Sequence, residues 1–197
     1  MHKTVPDKAQ IALLEPFDGL ALERIFVPDS AAAFKAAAAE IGAAKIVGFD
    51  TESKPTFVKG EVSTGPHVVQ FALPDKAFLF QLRRTECHPF VIEILRSDAI
   101  LKAGFGLQSD RAQLFNKLGA TLNAVVDLSV ELRRLGYPAS TGVRSAVAIL
   151  FNKNFRKSRS ATTSNWAKPE LSDKQMLYAA NDAYAALCVW HALNSKD

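Results

Sequence analysis

The chain has 197 residues, of which 48% are hydrophobic and 22% are charged, and its formal net charge is +4. This length and composition are typical of one globular domain with a single core, and the apolar runs are too short to span a membrane. Two cysteines are too few for a disulfide scaffold and the N-terminus lacks an apolar signal segment, so we expect a cytoplasmic protein without a membrane partner.

The beginning of the chain is predicted to pack as an arm on the rest. Residues 1–23 show no sustained hydrophobic period and contain Pro6, Pro16 and Gly19, which interrupt regular structure. Residues 24–197 then form a single domain. Its length is ample for one buried core, and no internal repeat or low-complexity segment divides it.

The first elements of this domain are predicted to be an edge strand, a helix and a buried strand. The edge strand covers Arg24 to Val27, and either Asp29 or Ser30 caps an alanine-rich helix that ends at Gly42. The run from Lys45 to Glu52 is too short for a helix and rich in branched residues, which favours a strand inside the core.

A polar loop and a hairpin follow. Residues 53–66 contain two prolines and two glycines and predict a loop that can move. The segments from His67 to Leu73 and from Ala77 to Leu82 predict a hairpin that turns at residues 74–76. The next predicted helix covers Pro89 to Arg96.

The second half of the chain alternates between strands and helices. A strand from Ile100 to Phe105 precedes a helix from Ser109 to Leu118, and residues 125–126 form a short strand. Asp127 is a further candidate for a site acid, but its position predicts that it is the N-cap of a helix that runs through Leu135.

The last predicted helix has complete start signals. Ser172 and Gln175 form a capping box, and Leu171 with Met176 forms a hydrophobic staple. Strands and helices alternate, but the hairpin breaks a purely parallel order. We therefore predict an α/β fold with a mixed β-sheet and helices on both faces.

Four acids and a tyrosine are predicted to converge. Asp50 and Glu52 project from the same face of a strand end. Tyr178 and Asp182 lie one turn apart on one helix face. Asp110 opens the helix after a glycine-containing turn. Asp50 or Glu52 alone is more often an ordinary strand-end acid, and Tyr178 alone is more often a core aromatic. Asp110 alone is consistent with a helix start, and only the joint occurrence of these residues indicates a site.

Converging carboxylates repel one another unless cations bind between them. Oxygen ligands without a Cys/His cluster select Mg²⁺ or Mn²⁺ over zinc. Two such ions can stabilise the attacking and departing oxygens in a displacement at phosphorus, with Tyr178 orienting the attacking water. Nearby, the basic residues Lys153, Arg156, Lys157 and Arg159 suit a substrate with phosphates, and a solvated basic loop is an equal alternative.

The motifs in this order resemble those of the DEDDy 3′–5′ exonucleases, in the branch of the Werner-syndrome exonuclease and ribonuclease D. The resemblance rests on the residues Phe49-Asp50-Thr51-Glu52, then Lys102-Ala103-Gly104-Phe105-Gly106-Leu107 with Asp110, then Tyr178-Ala179-Ala180 with Asp182-Ala183. It runs from about residue 25 to residue 193. The aromatic residue often found after the first motif is replaced by Ser53-Lys54-Pro55, so the contacts with the terminal base are expected to differ.

The resemblance implies a ribonuclease H-like fold and two divalent metal ions held by the four acids. It implies that Tyr178 orients the attacking water and that nucleoside 5′-monophosphates are released from a 3′ end. It places Thr51 at the terminal nucleotide. It assigns the upstream nucleic-acid backbone to Arg156, Lys157 and Arg159.

We expect an active exonuclease that acts on DNA, mainly at single-stranded or frayed ends. RNA trimming, as in ribonuclease D, is the alternative within enzymes, because the distinction depends on contacts to the sugar 2′-position. A module that binds nucleic acid without cutting it is the alternative outside enzymes. Substrate choice cannot be carried over from larger relatives, so a separate targeting partner and the oligomeric state stay open.

Overall fold

A computed structural model of the chain describes residues 3–56 and 60–195, without the side chain of Arg159. Its centre is a mixed sheet of six strands in the order β1-β4-β3-β2-β5-β6. The strands are β1 (Ile25–Phe26), β2 (Ile46–Glu52), β3 (Val68–Ala72), β4 (Ala77–Gln81), β5 (Leu101–Gly104) and β6 (Val125–Asp127). Strand β3 runs antiparallel to both β2 and β4, and the other neighbouring pairs are parallel.

Helices cover both faces of this sheet, as the sequence predicts. They are α1 (Lys8–Ala12), α2 (Ala31–Gly42), α3 (His88–Arg96), α4 (Gln108–Leu118), α5 (Leu128–Arg134), α6 (Val143–Phe151), α7 (Arg159–Thr162) and α8 (Asp173–Asn194). Short 3₁₀ turns cover Leu22–Arg24 and Thr85–Cys87. Among the residues that the structure describes, no helix is long and apolar enough to cross a bilayer.

Two layers of apolar side chains hold the helices on the sheet. On one face, α2, α3 and α4 pack against a cluster that includes Phe49, Phe71 and Phe80. On the other face, the alanines of α8 pack on β3 and β4, while α5 and α6 pack on β5 and on the end of α8. This arrangement places α8 directly over the central strands.

Gly48 allows α8 to approach β2 closely. A Cβ atom at this position would collide with the carbonyl group of Ala183. The glycine therefore brings the helix that carries Asp182 close to the strand that carries Asp50.

The predicted caps are confirmed. Ser30, and not Asp29, caps α2 by accepting a hydrogen bond from the backbone N–H of Ala33 at 3.3 Å. Asp127 caps α5 by accepting one from the Ser129 N–H at 3.0 Å. Ser172 and Gln175 form the predicted capping box at the start of α8.

The predicted edge strand, hairpin and buried strand are also present, whereas α1, α6 and α7 were not predicted. Residues 57–59 of the predicted polar loop lie outside the described residues. The segment before β1 contacts the domain, since the Phe17 N–H donates to the Asn154 carbonyl at 3.0 Å. A domain boundary at residue 23 stays a prediction.

Candidate active site

The end of β2 and the middle of α8 bring together three of the predicted acids. Asp50 and Glu52 alternate with Thr51 along the strand and therefore face α8. Asp182 faces them from the helix and is 5% exposed. Asp50, Glu52 and Asp182 each offer a carboxylate oxygen, and these oxygens lie within 4.8 Å of one another.

Asp110 is not part of this group of three. It lies in the first turn of α4, on the opposite face of the sheet, and accepts a hydrogen bond from the Thr51 hydroxyl. Ser109 Oγ also donates to it at 3.4 Å. Its negative charge nevertheless contributes to raising the pKa of Asp50, so the fourth acid lies close enough to act on the group electrostatically.

Burial and mutual repulsion raise the pKa values of the carboxyl groups. Burial and then the charge of Asp182 raise the pKa of Asp50 well above its usual value. Burial and then the charge of Asp50 raise the pKa of Glu52 to about 9. Because the group favours protons so strongly, it also favours any other cation that can replace them.

Lys157 supplies one such cation. Its Nζ donates to Asp182 Oδ2 at 2.8 Å and lies 5.3 Å from the centre of the Tyr178 ring. Burial lowers the pKa of Lys157, but the charge and hydrogen bond of Asp182 outweigh this effect and raise it. One ammonium group cannot neutralise three carboxylates.

Tyr178 lies beside Asp182 as predicted. Its hydroxyl accepts a hydrogen bond from Thr162 Oγ1 at 3.2 Å, and its ring packs against Trp166 with centroids 6.0 Å apart. Burial and the charge of Asp182 raise the pKa of Tyr178 to about 12. The side chain is therefore a neutral phenol at neutral pH, which can orient a water molecule but is a poor base.

The four residues that were predicted to contact nucleic acid lie in different surroundings. Thr51 uses its hydroxyl for Asp110 and its backbone N–H for Asp50 Oδ1, at 2.9 Å in the latter case. Lys157 is bound to Asp182, whereas Arg156 is exposed. The side chain of Arg159 lies outside the described residues.

A cavity of about 350 Å³ adjoins the acids. Arg156 and Lys174 line it on the basic side, Phe17 contributes an aromatic wall, and Tyr178 and Asp182 join it to the carboxylates. A phosphate-bearing chain that reaches the acids would therefore meet positive charge and an aromatic surface beside them.

The group of three acids fits a divalent metal ion. Carboxylate oxygens are the ligands that Mg²⁺ and Mn²⁺ prefer, and oxygens bound to one Mg²⁺ ion are about 4 Å apart or closer. The spacing of up to 4.8 Å needs only a small side-chain adjustment. Asp182 Oδ1 is also buried without a hydrogen-bond partner, so it is available to an ion.

Sequence reasoning missed two contacts of this site. It did not predict that Lys157 pairs with Asp182, because these residues are 25 positions apart and meet only through the loop before α7. It also missed the second role of Asp127, which accepts hydrogen bonds from the backbone N–H groups of Gly106 and Leu107 and so holds the turn before Asp110. The glycine at position 106, whose φ is 65°, was the available signal of a constrained turn.

The fold and the acidic group define a ribonuclease H-like nuclease domain. Comparison with known proteins identifies the family: the family described as 3′-5′ exonuclease matches residues 25–196. The chain belongs to this 3′-5′ exonuclease family, which confirms the resemblance found in the motifs.

Relatives and solved structures agree with this assignment. The chain is 29% identical to the mouse bifunctional 3′-5′ exonuclease/ATP-dependent helicase WRN over 152 residues, which are 76% of the chain and 11% of that protein. It is 29% identical to ribonuclease D of Haemophilus influenzae over 112 residues, which are 57% of the chain and 27% of that protein. The chain thus spans well under half the length of these two relatives.

The fold is similar to that of the Aedes aegypti Nibbler EXO domain, with a TM-score of 0.74, 21% identity and 88% of each chain covered. It is also similar to Trypanosoma brucei RNase D in complex with RNA U12, with a TM-score of 0.77 and 20% identity. That match covers 88% of this chain and 63% of the other. These likenesses confirm the predicted fold class.

Proposed function

We propose that this chain is a metal-dependent 3′–5′ exonuclease that releases nucleoside 5′-monophosphates from nucleic-acid 3′ ends. The observation that carries the proposal is the meeting of Asp50, Glu52 and Asp182 within 4.8 Å, in a chain of the 3′-5′ exonuclease family. A binding module without activity would have no need of three carboxylates that repel one another at one point.

The metal ligands are proposed to be these three acids, with Asp110 as the fourth. When bound, two Mg²⁺ or Mn²⁺ ions would supply an activated water and neutralise the charge on the leaving oxygen. Asp182 Oδ1 is the buried ligand atom without a partner, and the charges of both Asp182 and Asp110 help to raise the pKa of Asp50.

Tyr178 is proposed to hold the attacking water with its hydroxyl. The hydrogen bond from Thr162 fixes the phenol oxygen, and the Trp166 ring fixes the plane of the side chain. The water attacks the last phosphodiester, the bond from phosphorus to the upstream 3′-oxygen breaks, and the products are a nucleoside 5′-monophosphate and a new 3′-hydroxyl group.

The substrate is proposed to be DNA, with RNA as the alternative. Arg156 and Lys174 beside the cavity support a polyanionic chain of either kind. The name of the ribonuclease D relative supports the RNA alternative. The contacts of Thr51, Arg156, Lys157 and Arg159 to nucleic acid stay predictions, as do a separate targeting partner and the cytoplasmic location.

The test is a matched set of 5′-labelled DNA and RNA oligonucleotides with overhanging or recessed 3′ ends. Wild-type protein with Mg²⁺ or Mn²⁺ is expected to shorten them from the 3′ end one nucleotide at a time, and EDTA should stop the reaction. Asp182→Asn is the control against a contaminating nuclease. Equal cleavage by this variant, or no cleavage by wild type with either metal, would contradict the proposal.

A further inference from the structure

A buried amide lies beside the acidic group without a hydrogen-bond partner. Gln70 is in the middle of β3 and is 0% exposed. Neither its Oε1 nor its Nε2 has a partner among the described residues. Buried amides without partners destabilise folded proteins and are rare, so this position needs an explanation.

The sheet register places Gln70 next to the acids. It is the direct antiparallel partner of Asp50 across β2 and β3. Directly opposed residues project from the same face, with their Cβ atoms about 4.5–5.5 Å apart. Both side chains therefore lie on the face that α8 covers.

The residues that flank Gln70 on β3 and the residue opposite it on β4 are apolar. Val68 and Ala72, which flank it on the same face of β3, pack in a cluster with Ala179 and Ala183 of α8. Across the other edge of β3 its partner is Leu79. Among these directly opposed and flanking residues, Asp50 is the polar one, and none of them gives the amide a hydrogen bond.

We propose that Gln70 is a positioning residue that holds the Asp50 carboxylate when the site binds a divalent metal ion. This inference rests on the proposed function. One oxygen of Asp50 already accepts the Thr51 backbone N–H at 2.9 Å, so the amide N–H of Gln70 would serve the other oxygen. Hydrogen bonds to metal-binding carboxylates fix their orientation and strengthen metal binding.

The test uses Gln70→Met, which keeps the length of the side chain and removes its polar atoms. The metal-free variant is expected to melt about 2–4 °C higher than wild type, because a buried polar group without a partner is lost. In calorimetric titration with Mn²⁺, its dissociation constant is expected to rise about tenfold. A side chain with a merely structural role would not give opposite effects on these two quantities.

Gln81→Met is the matched control. Gln81 lies on the same face of the next strand and is equally buried, but its Nε2 donates to the Lys168 carbonyl at 3.1 Å. This variant is expected to lower the melting temperature and to leave Mn²⁺ binding unchanged.

A lower melting temperature of Gln70→Met with unchanged Mn²⁺ binding would overturn the inference, and so would wild-type behaviour in both measurements. The proposed function fails separately, if wild-type protein itself neither binds Mn²⁺ nor shortens oligonucleotides.

Discussion

Replacing Lys157 with methionine should destabilise the metal-free protein and strengthen its binding of metal. The substitution keeps most of the side-chain volume beside Tyr178 and removes the charge that pairs with Asp182 at 2.8 Å. Two unit charges at this separation attract by about 6 kcal/mol at an effective dielectric constant of 20, and by about 1.5 kcal/mol in water.

The net effect lies nearer the lower value. The Lys157 side chain keeps 34% of its exposure, against 4% for Asp182, so solvent screens part of the attraction. Exposed pairs contribute up to about 1 kcal/mol and broken buried pairs cost about 3–5 kcal/mol. We therefore expect a loss of about 2 kcal/mol, which corresponds to a melting temperature about 4–8 °C lower for a domain of this size.

Metal ions should narrow the difference in stability between the two proteins. Because no ammonium group has to leave Asp182, Lys157→Met should bind Mn²⁺ about tenfold more tightly, as a saving of about 1.4 kcal/mol implies. The assay is thermal unfolding in EDTA and in saturating MnCl₂, together with calorimetric titration. The reasoning is refuted if the variant is destabilised equally in both conditions, since Lys157 would then stabilise the fold by other contacts.

Three further predictions concern the same site. In EDTA, the free energy of unfolding of the wild type should fall from pH 5 to pH 8 relative to that of Glu52→Gln. The reason is that the folded-state pKa of Glu52 is raised to about 9. The folded protein therefore retains a proton that the unfolded chain loses, and the stability from this proton is present at low pH and lost as pH rises. Urea midpoints measure this slope, and parallel curves for the two proteins would contradict it. Gly48→Ala should cost about 1–3 kcal/mol, because its Cβ meets the Ala183 carbonyl. Gly42→Ala, where a Cβ meets nothing within 4 Å, is its control, and equal denaturation midpoints for the two variants would disprove the close approach. Tyr178→Phe should lower kcat by about 10–100-fold while Mn²⁺ affinity changes less than about twofold; equal losses of both would indicate a structural tyrosine.

The sequence predicted the strands and the helix caps because both depend on local patterns. The branched run that ends in Asp50 and the capping box at Ser172 and Gln175 determine β2 and the start of α8 without reference to the rest of the chain. By contrast, α6 was missed. Its start at Gly142 has no side-chain cap, and the run from Val147 to Phe151 is apolar throughout, which periodicity cannot distinguish from a buried strand.

The convergence of the acids was predicted from the sequence, but the side from which Asp110 approaches them was not. Motif spacing indicated that Asp50, Glu52 and Asp182 meet, and the structure brings them together. The sequence could not show that Asp110 reaches the group from the other face through Thr51. The unpartnered amide of Gln70 was equally hidden, because strand register decides which residue faces Asp50.

The most direct test of a metal site at these acids is the anomalous scattering of manganese in crystals soaked with MnCl₂. We expect a peak within bonding distance of Asp50, Glu52 and Asp182, with Lys157 Nζ displaced from Asp182. Well-ordered crystals that show these carboxylates without a manganese peak, and with Lys157 still bound to Asp182 at saturating metal, would contradict the account.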